Sequence, residues 1–202
     1  MHNCIFTPHC TEYFCDKSCP IFAEISYLLE RNKLLDNTQI YVSSQKDIDS
    51  VSEKIDKCKG CIGTLVVPSG KSSLEYSDLI TYCAICKNWK GSQLHVNVFN
   101  LKYSSYIENL KRSWTNGADD DLEYLQIWIK SAKVLIISNL DFVDFKDFES
   151  QTLLSILQDR MSEKFTTILV VPPINSLIST KSSVFFDALK RMLKNGIKVV
   201  SA

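Results

Sequence analysis

The sequence predicts a three-layer α/β domain, a parallel five-stranded sheet with helices on both faces, preceded by a small Cys-rich module and a helix. Three observations predict it. From Ile62 onward, short apolar runs rich in Val, Ile and Leu alternate with helical patterns. Those runs are continuous rather than alternating, which marks strands covered on both sides. Four of the eight cysteines fall in the first 19 residues, outside this alternating region.

The elements follow in order. Cys4, Cys10, Cys15 and Cys19 form the first cluster. After Pro20, the residues Ile21, Phe22, Ile25, Leu28 and Leu29 make one apolar stripe at helical spacing, so residues 1–35 are expected to be a Cys-rich knob leading into a helix. Residues 36–57 are expected to be a connector with a polar helix over Gln45–Lys57. The α/β domain then occupies 58–202. Its strands are expected at Ile62–Val67, Leu94–Asn100, Lys133–Leu140, Thr166–Val171 and Ile197–Ser201. Its helices are expected at Leu74–Trp89, Tyr106–Trp114 with Leu122–Ser131, Phe148–Glu163 and Ser183–Lys194. Such β-α units favour right-handed crossovers.

Composition narrows the function. The chain has 202 residues, 45% of them hydrophobic, which is enough for a sizeable core. Lys and Arg total 23 against 23 Asp and Glu, so no global basic field draws in nucleic acid, and any such contact must be local. No run of about 18 apolar residues occurs, and Met1-His2-Asn3-Cys4 lacks a signal-peptide pattern, so a cytoplasmic protein with reduced thiols is expected.

Two motifs carry chemistry. After the first strand comes Pro68-Ser69-Gly70-Lys71-Ser72-Ser73, then a helix. A strand feeding a Gly-Lys-Ser turn at a helix start is how a P-loop holds phosphate: backbone N–H groups face the anion, the Lys reaches the outer phosphates and the Ser binds magnesium. The full signature wants a Gly where Leu65 stands. The competing reading is an ordinary turn with Ser72 or Ser73 as helix N-cap. At the end of the third strand, where such ATPases carry acids, stand Ser138 and Asn139. Asp141 and Asp144 lie beyond and are expected to cap the following loop. Pro172-Pro173 ends the fourth strand where a polar residue would be expected.

The second motif is the cysteines. Cys4, Cys10, Cys15 and Cys19, with His9 as a spare ligand, suit a structural zinc. An iron–sulfur cluster and plain thiols are the alternatives. Cys58-x2-Cys61 and Cys83-x2-Cys86 permit a second metal site, since a strand running out and a helix running back return both pairs to one edge. The alternative is that they are small core residues. His95 sits within a strand pattern and is read as structural. Asp119–Asp121 are read as a helix N-terminus carrying favourable charge.

Taken together, Gly70-Lys71-Ser72, the strand Val134–Leu140, the helix Phe148–Phe165 ending near Gln158-Asp159-Arg160, and the strand Thr166–Pro173 resemble the AAA+ ATPase core of bacterial and phage replicative-helicase loaders. A Cys-rich zinc-binding N-terminal region joined to that core is also similar to some members. The resemblance implies an AAA+ (ASCE-like) P-loop sheet and a role as a DNA-replication accessory protein. The implied partners are a replicative helicase, single-stranded DNA or an active ATPase subunit, with zinc and weakly held ATP or ADP as cofactors. It assigns Ser69, Gly70, Lys71, Ser72 and Ser73 to nucleotide, Lys102, Lys111, Arg112 and Trp114 to DNA, and Arg191 to a neighbour's nucleotide. For the DNA set the alternative is a solvated helix face; for Arg191 it is a basic helix end. The departures at Leu65, Ser138, Asn139 and Pro173 remove the residues that phosphoryl transfer needs. An active ATPase and a zinc-stabilised adaptor without nucleotide or DNA remain the alternatives.

Overall fold

The computed structural model describes residue 32 and residues 45–88, 98–117 and 120–171. Four strands, β1 (Ile62–Val66), β2 (Val98–Lys102), β3 (Val134–Ser138) and β4 (Thr166–Val171), form one parallel sheet in the order β1-β4-β3-β2. Gly63 pairs with Ile168, Leu135 with Thr167 and Leu101 with Ile137. The helices are α1 (Gln45–Lys57), α2 (Ser73–Asn88), α3 (Tyr103–Asn116), α4 (Asp120–Ser131) and α5 (Asp147–Ser162), with a 3-10 turn at Leu140–Phe142. The fifth strand and the helix expected at 183–194 lie outside the described residues.

The apolar runs bury both faces, as their lack of alternation implied. On one face Val98, Val134, Ile136, Ile168 and Val170 pack against Leu79, Ile80, Cys83 and Ala84 of α2. On the other, Phe99, Leu101, Leu135, Ile137 and Leu169 pack against α3, α4 and α5 through Ile107, Ile129, Leu153 and Leu157. The chain crosses from β1 to the far strand β2 with α2 on one face. It then steps back through β3 to β4 with its helices on the other, as right-handed crossovers require.

Two details differ from the sequence expectation. β2 runs past the expected end at Asn100, because Leu101 and Lys102 continue the ladder to Ser138, while residues 94–97 lie outside the described residues. α1 is part of the α/β unit rather than a connector, since Val51 and Ile55 enter the same core as α2. Gly63 has a steric reason: Cys58 Sγ fills the space a Cβ would take. No helix among the described residues is long and apolar enough to cross a membrane.

Candidate functional site

In an open α/β sheet the binding crevice lies beyond the strand C-termini, where neighbouring connections leave on opposite faces. Here that place lies between the loop after β1 and the loop after β3, with β4 between them. It brings Gly70, Lys71, Ser72 and Ser73 toward Asn139 and Asp141, and Ser73 Oγ donates to Asp141 Oδ2 at 3.2 Å.

The loop after β1 is short. Val67 still donates to Val171, extending the ladder one residue past β1. Lys71 N then donates to Pro68 O at 3.2 Å, closing a β-turn over Pro68–Lys71. Gly70 holds a φ of +85°, which a turn of this kind demands at its third residue. A phosphate cradle needs a longer loop with several inward N–H groups, and Pro68 has none to offer.

The side chains of this loop are committed elsewhere. Lys71 Nζ pairs with Asp47 Oδ2 of α1 at 3.3 Å. Ser72 N and Ser72 Oγ both donate to Glu75 Oε2 at 2.8 Å, and Glu75 N donates back to Ser72 Oγ at 3.2 Å. This is a capping box that closes the N-terminus of α2 with the chain's own carboxylate. The Ser72 N–H and hydroxyl hold the Glu75 carboxyl below the usual range, against a small opposing effect of burial. The N-cap reading of Ser72 is therefore what the structure displays.

At the end of β3, the Ser138 hydroxyl donates to Asn100 Oδ1 at 3.0 Å, and Asn100 Nδ2 donates to Asp78 Oδ1 of α2 at 3.5 Å. Asn139 takes a left-handed backbone with φ 60° and leads into the 3-10 turn. Asp141 meets Ser73 rather than capping its own loop, whereas Asp144 forms an exposed pair with Lys146 at 3.5 Å. As arranged, these residues do not fit a magnesium-bound triphosphate: the Lys, the Ser and the helix N-terminus are engaged, and the carboxylate just beyond β3, that of Asp141, is met by Ser73.

Of the proposed second metal set, Cys58 and Cys83 are fully buried in the core beside α1 and α2. Burial pushes both thiols up to about 12, so they stay protonated. Cys61 is half-buried with Sγ 3.1 Å from Cys58 O. The Cys86 side chain lies outside the described residues. Among the described residues no group of three or more His, Cys, Asp or Glu is placed to hold a metal. Within the described residues Cys58 and Cys83 stand as packed core residues. Cys4, Cys10, Cys15, Cys19, His95, Asp119, Pro172, Pro173 and Arg191 lie outside the described residues.

The basic–aromatic set lies on α3 and at the strand end that leads into it. Lys102 ends β2 ahead of α3. Lys111 Nζ pairs with Glu149 Oε1 at 2.6 Å. Arg112 is exposed, and Trp114 is 65% exposed with its ring edge-on to Phe148 at 4.7 Å. Trp114 and Phe148 stand in the wall of a groove of about 940 Å³ between α3, α4 and α5. Sequence reasoning missed Asp47 and Glu75, although Ser72-x-x-Glu75 is a legible capping signature. It also missed that Arg160 is buried structure: Nε donates to Thr167 Oγ1, and the two terminal nitrogens donate to the carbonyls of Ile129 and Thr166.

No protein-family model matches this chain, and no curated protein matches it. Solved structures do. The chain is similar to the DnaC helicase loader, with a TM-score of 0.53 and 13% identity over 76% of this chain and 85% of that one. It is similar to the replication initiator DnaA bound to AMPPCP and single-stranded DNA, with a TM-score of 0.52 and 13% identity over 92% of this chain and 51% of that one. Domain III of Thermotoga maritima DnaA gives a TM-score of 0.56 and 11% identity over 81% of this chain and 65% of that one. The chain spans about half the length of the AMPPCP-bound initiator it matches. It shares the parallel α/β fold of these proteins, and at such identities the likeness speaks for fold alone.

Proposed function

We propose that this chain is a DNA-replication accessory protein of the helicase-loader type that acts by holding a partner and does not turn ATP over. One observation carries the reading: on a fold shared with DnaC and DnaA, the loop that would hold phosphate is a tight turn whose Lys71 and Ser72 are bound by Asp47 and Glu75. A nucleotide entering here has to displace both carboxylates, so affinity for ATP or ADP is expected to be weak. The likeness to DnaC supports a replicative helicase as partner. A DnaA relative bound to single-stranded DNA supports a DNA contact at Arg112 and Trp114, since Lys111 is already engaged by a buried carboxylate. Cys4, Cys10, Cys15 and Cys19 are proposed to hold a structural zinc that shapes the partner-gripping module. Metal content of protein purified without added metal checks this; under half an equivalent of zinc overturns it.

The test of the whole reading is phosphate release with single-stranded DNA and the host's replicative helicase present. We expect none above background, together with capture of the helicase by the tagged chain. Turnover that Lys71→Ala abolishes would show a working ATPase. Failure to capture the helicase would remove the loader assignment.

A further inference from the structure

We propose that the solvent face of α4 pairs with the same face of a second copy of this chain, the two helices running antiparallel about a two-fold axis. α4 turns Leu122 and Ile129 into the core. Away from them it carries Tyr124 at 59% exposure and Ile127 at 55%, three residues apart and so neighbours on the helix surface. A lone exposed apolar side chain is ordinary, but two large ones side by side begin a patch that gains by being covered.

Charge identifies what covers them. The exposed carboxylates of Asp120 and Glu123 precede the pair, and the exposed ammonium groups of Lys130, and of Lys133 just beyond the helix, follow it. Asp120 stands four residues before Tyr124 and Lys130 three after Ile127, so opposite charges flank the apolar centre almost evenly. Among the described residues none of these four has an ion-pair partner in its own chain. A uniformly basic or acidic partner matches one half of such a helix and opposes the other. A copy of the helix laid antiparallel matches both halves at once, acidic against basic on each side of the axis, with Tyr124 meeting the partner's Ile127 at the centre. A parallel copy would set like charges together. With 12 residues, α4 is about 18 Å long, so the contact is small and the expected Kd is on the order of 100 μM. The pairing does not rest on the helicase-loader reading.

Sedimentation equilibrium of the full chain tests it. At about 500 μM chain and low salt most of the protein is expected as dimer, with the dimer share falling as salt screens the exposed pairs. Lys130→Glu with Lys133→Glu makes the face acidic, and Asp120→Lys with Glu123→Lys makes it basic. Each variant alone is expected to be monomeric, and an equimolar mixture of the two to dimerise again. All four positions are exposed, so the substitutions cost little stability, and unchanged far-ultraviolet ellipticity checks this. Tyr124→Ser with Ile127→Ser keeps the charges and removes the apolar centre; it too is expected to be monomeric, and it decides the matter if a charge variant fails to fold. A wild-type chain that stays monomeric at this concentration overturns the proposal and leaves the face to a different protein. A dimer that the variants keep at wild-type strength overturns it by placing the contact elsewhere on the chain. A mixture that stays monomeric overturns the antiparallel arrangement.

Discussion

Arg160 is a buried guanidinium whose three nitrogens meet neutral oxygens, those of Thr167, Ile129 and Thr166. Desolvation brings its pKa down to about 10, so the charge persists at neutral pH and is held by carbonyl and hydroxyl dipoles. Its planar fork ties the C-terminal ends of α4 and α5 to the start of β4, which an ammonium cannot reproduce in three directions. Arg160→Ala should cost about 3 kcal/mol in urea unfolding, and Arg160→Lys should recover little of it. Glu149 makes a different statement. Burial pushes its carboxyl up, but Lys111 and the backbone N–H of Lys146 outweigh that and hold it below 4.5. A carboxyl lowered on folding stabilises above its ordinary value, and that stabilisation is lost as pH falls through the lower folded value. The urea midpoint should therefore drop on acidification below about pH 4.5, and drop less in Glu149→Gln, which keeps the acceptor for Lys146 N–H. Gly63 gives the steric case: Gly63→Ala should cost about 1–3 kcal/mol by overpacking against Cys58, and Cys58→Ala should relieve it.

At the scale of elements, α2 shows why a motif can be legible and misleading together. Gly70-Lys71-Ser72 follows a strand and opens a helix, as the phosphate reading requires, yet the same letters serve a turn and a capping box. Loop length separates the two, and it depends on where the β1 ladder stops, which Val67 extends through a bond to Val171 that no local pattern announces. Strand positions were legible because Ile62–Val66, Val134–Ser138 and Thr166–Val171 are largely buried on both faces and carry unbroken apolar runs such as Val134–Ile137 and Ile168–Val171. Asn100 and Ser138 were not legible as a pair, since they meet through tertiary pairing across two strands. For the cysteines at 58 and 83 the sequence left both a metal and a core reading open for a similar reason, because spacing does not reveal that both thiols enter an apolar core. The capping box can be weighed directly. Ser72→Ala removes the hydroxyl that caps Glu75 N and one of the two donors to the Glu75 carboxylate, leaving the backbone N–H, and should cost about 1 kcal/mol. Lys71→Ala breaks a half-exposed pair with Asp47 and should cost a few tenths of a kcal/mol at most. Had Lys71 instead been an unpaired charge held near the helix start, its removal would raise stability. The sign in urea titrations of the two variants therefore reports what this loop is for.

At the scale of the molecule, the sheet separates two cores, and neither depends on a metal among the described residues. One holds the protonated thiols of Cys58 and Cys83 against α1 and α2. The other is closed by aromatic pairs such as Phe99 with Trp128 at 5.3 Å and Tyr103 with Phe145 at 6.0 Å. If zinc sits only in the N-terminal cluster, its ligands are none of the residues that build these two cores. The stability of the α/β unit, from urea unfolding read by far-ultraviolet ellipticity, should then change by no more than about 0.5 kcal/mol on chelation, because none of those ligands belongs to either core. Capture of the helicase should fail under the same conditions, because a small module that a metal folds loses its shape when the metal leaves. The two readouts separate the roles. A large fall in the midpoint on chelation would mean that metal ligation reaches the α/β core, and would return Cys58 and Cys83 to consideration as ligands. An unchanged midpoint with capture intact would place the gripping surface on the α/β unit itself, where Trp114, Tyr124, Ile127 and Phe142 are each more than half exposed.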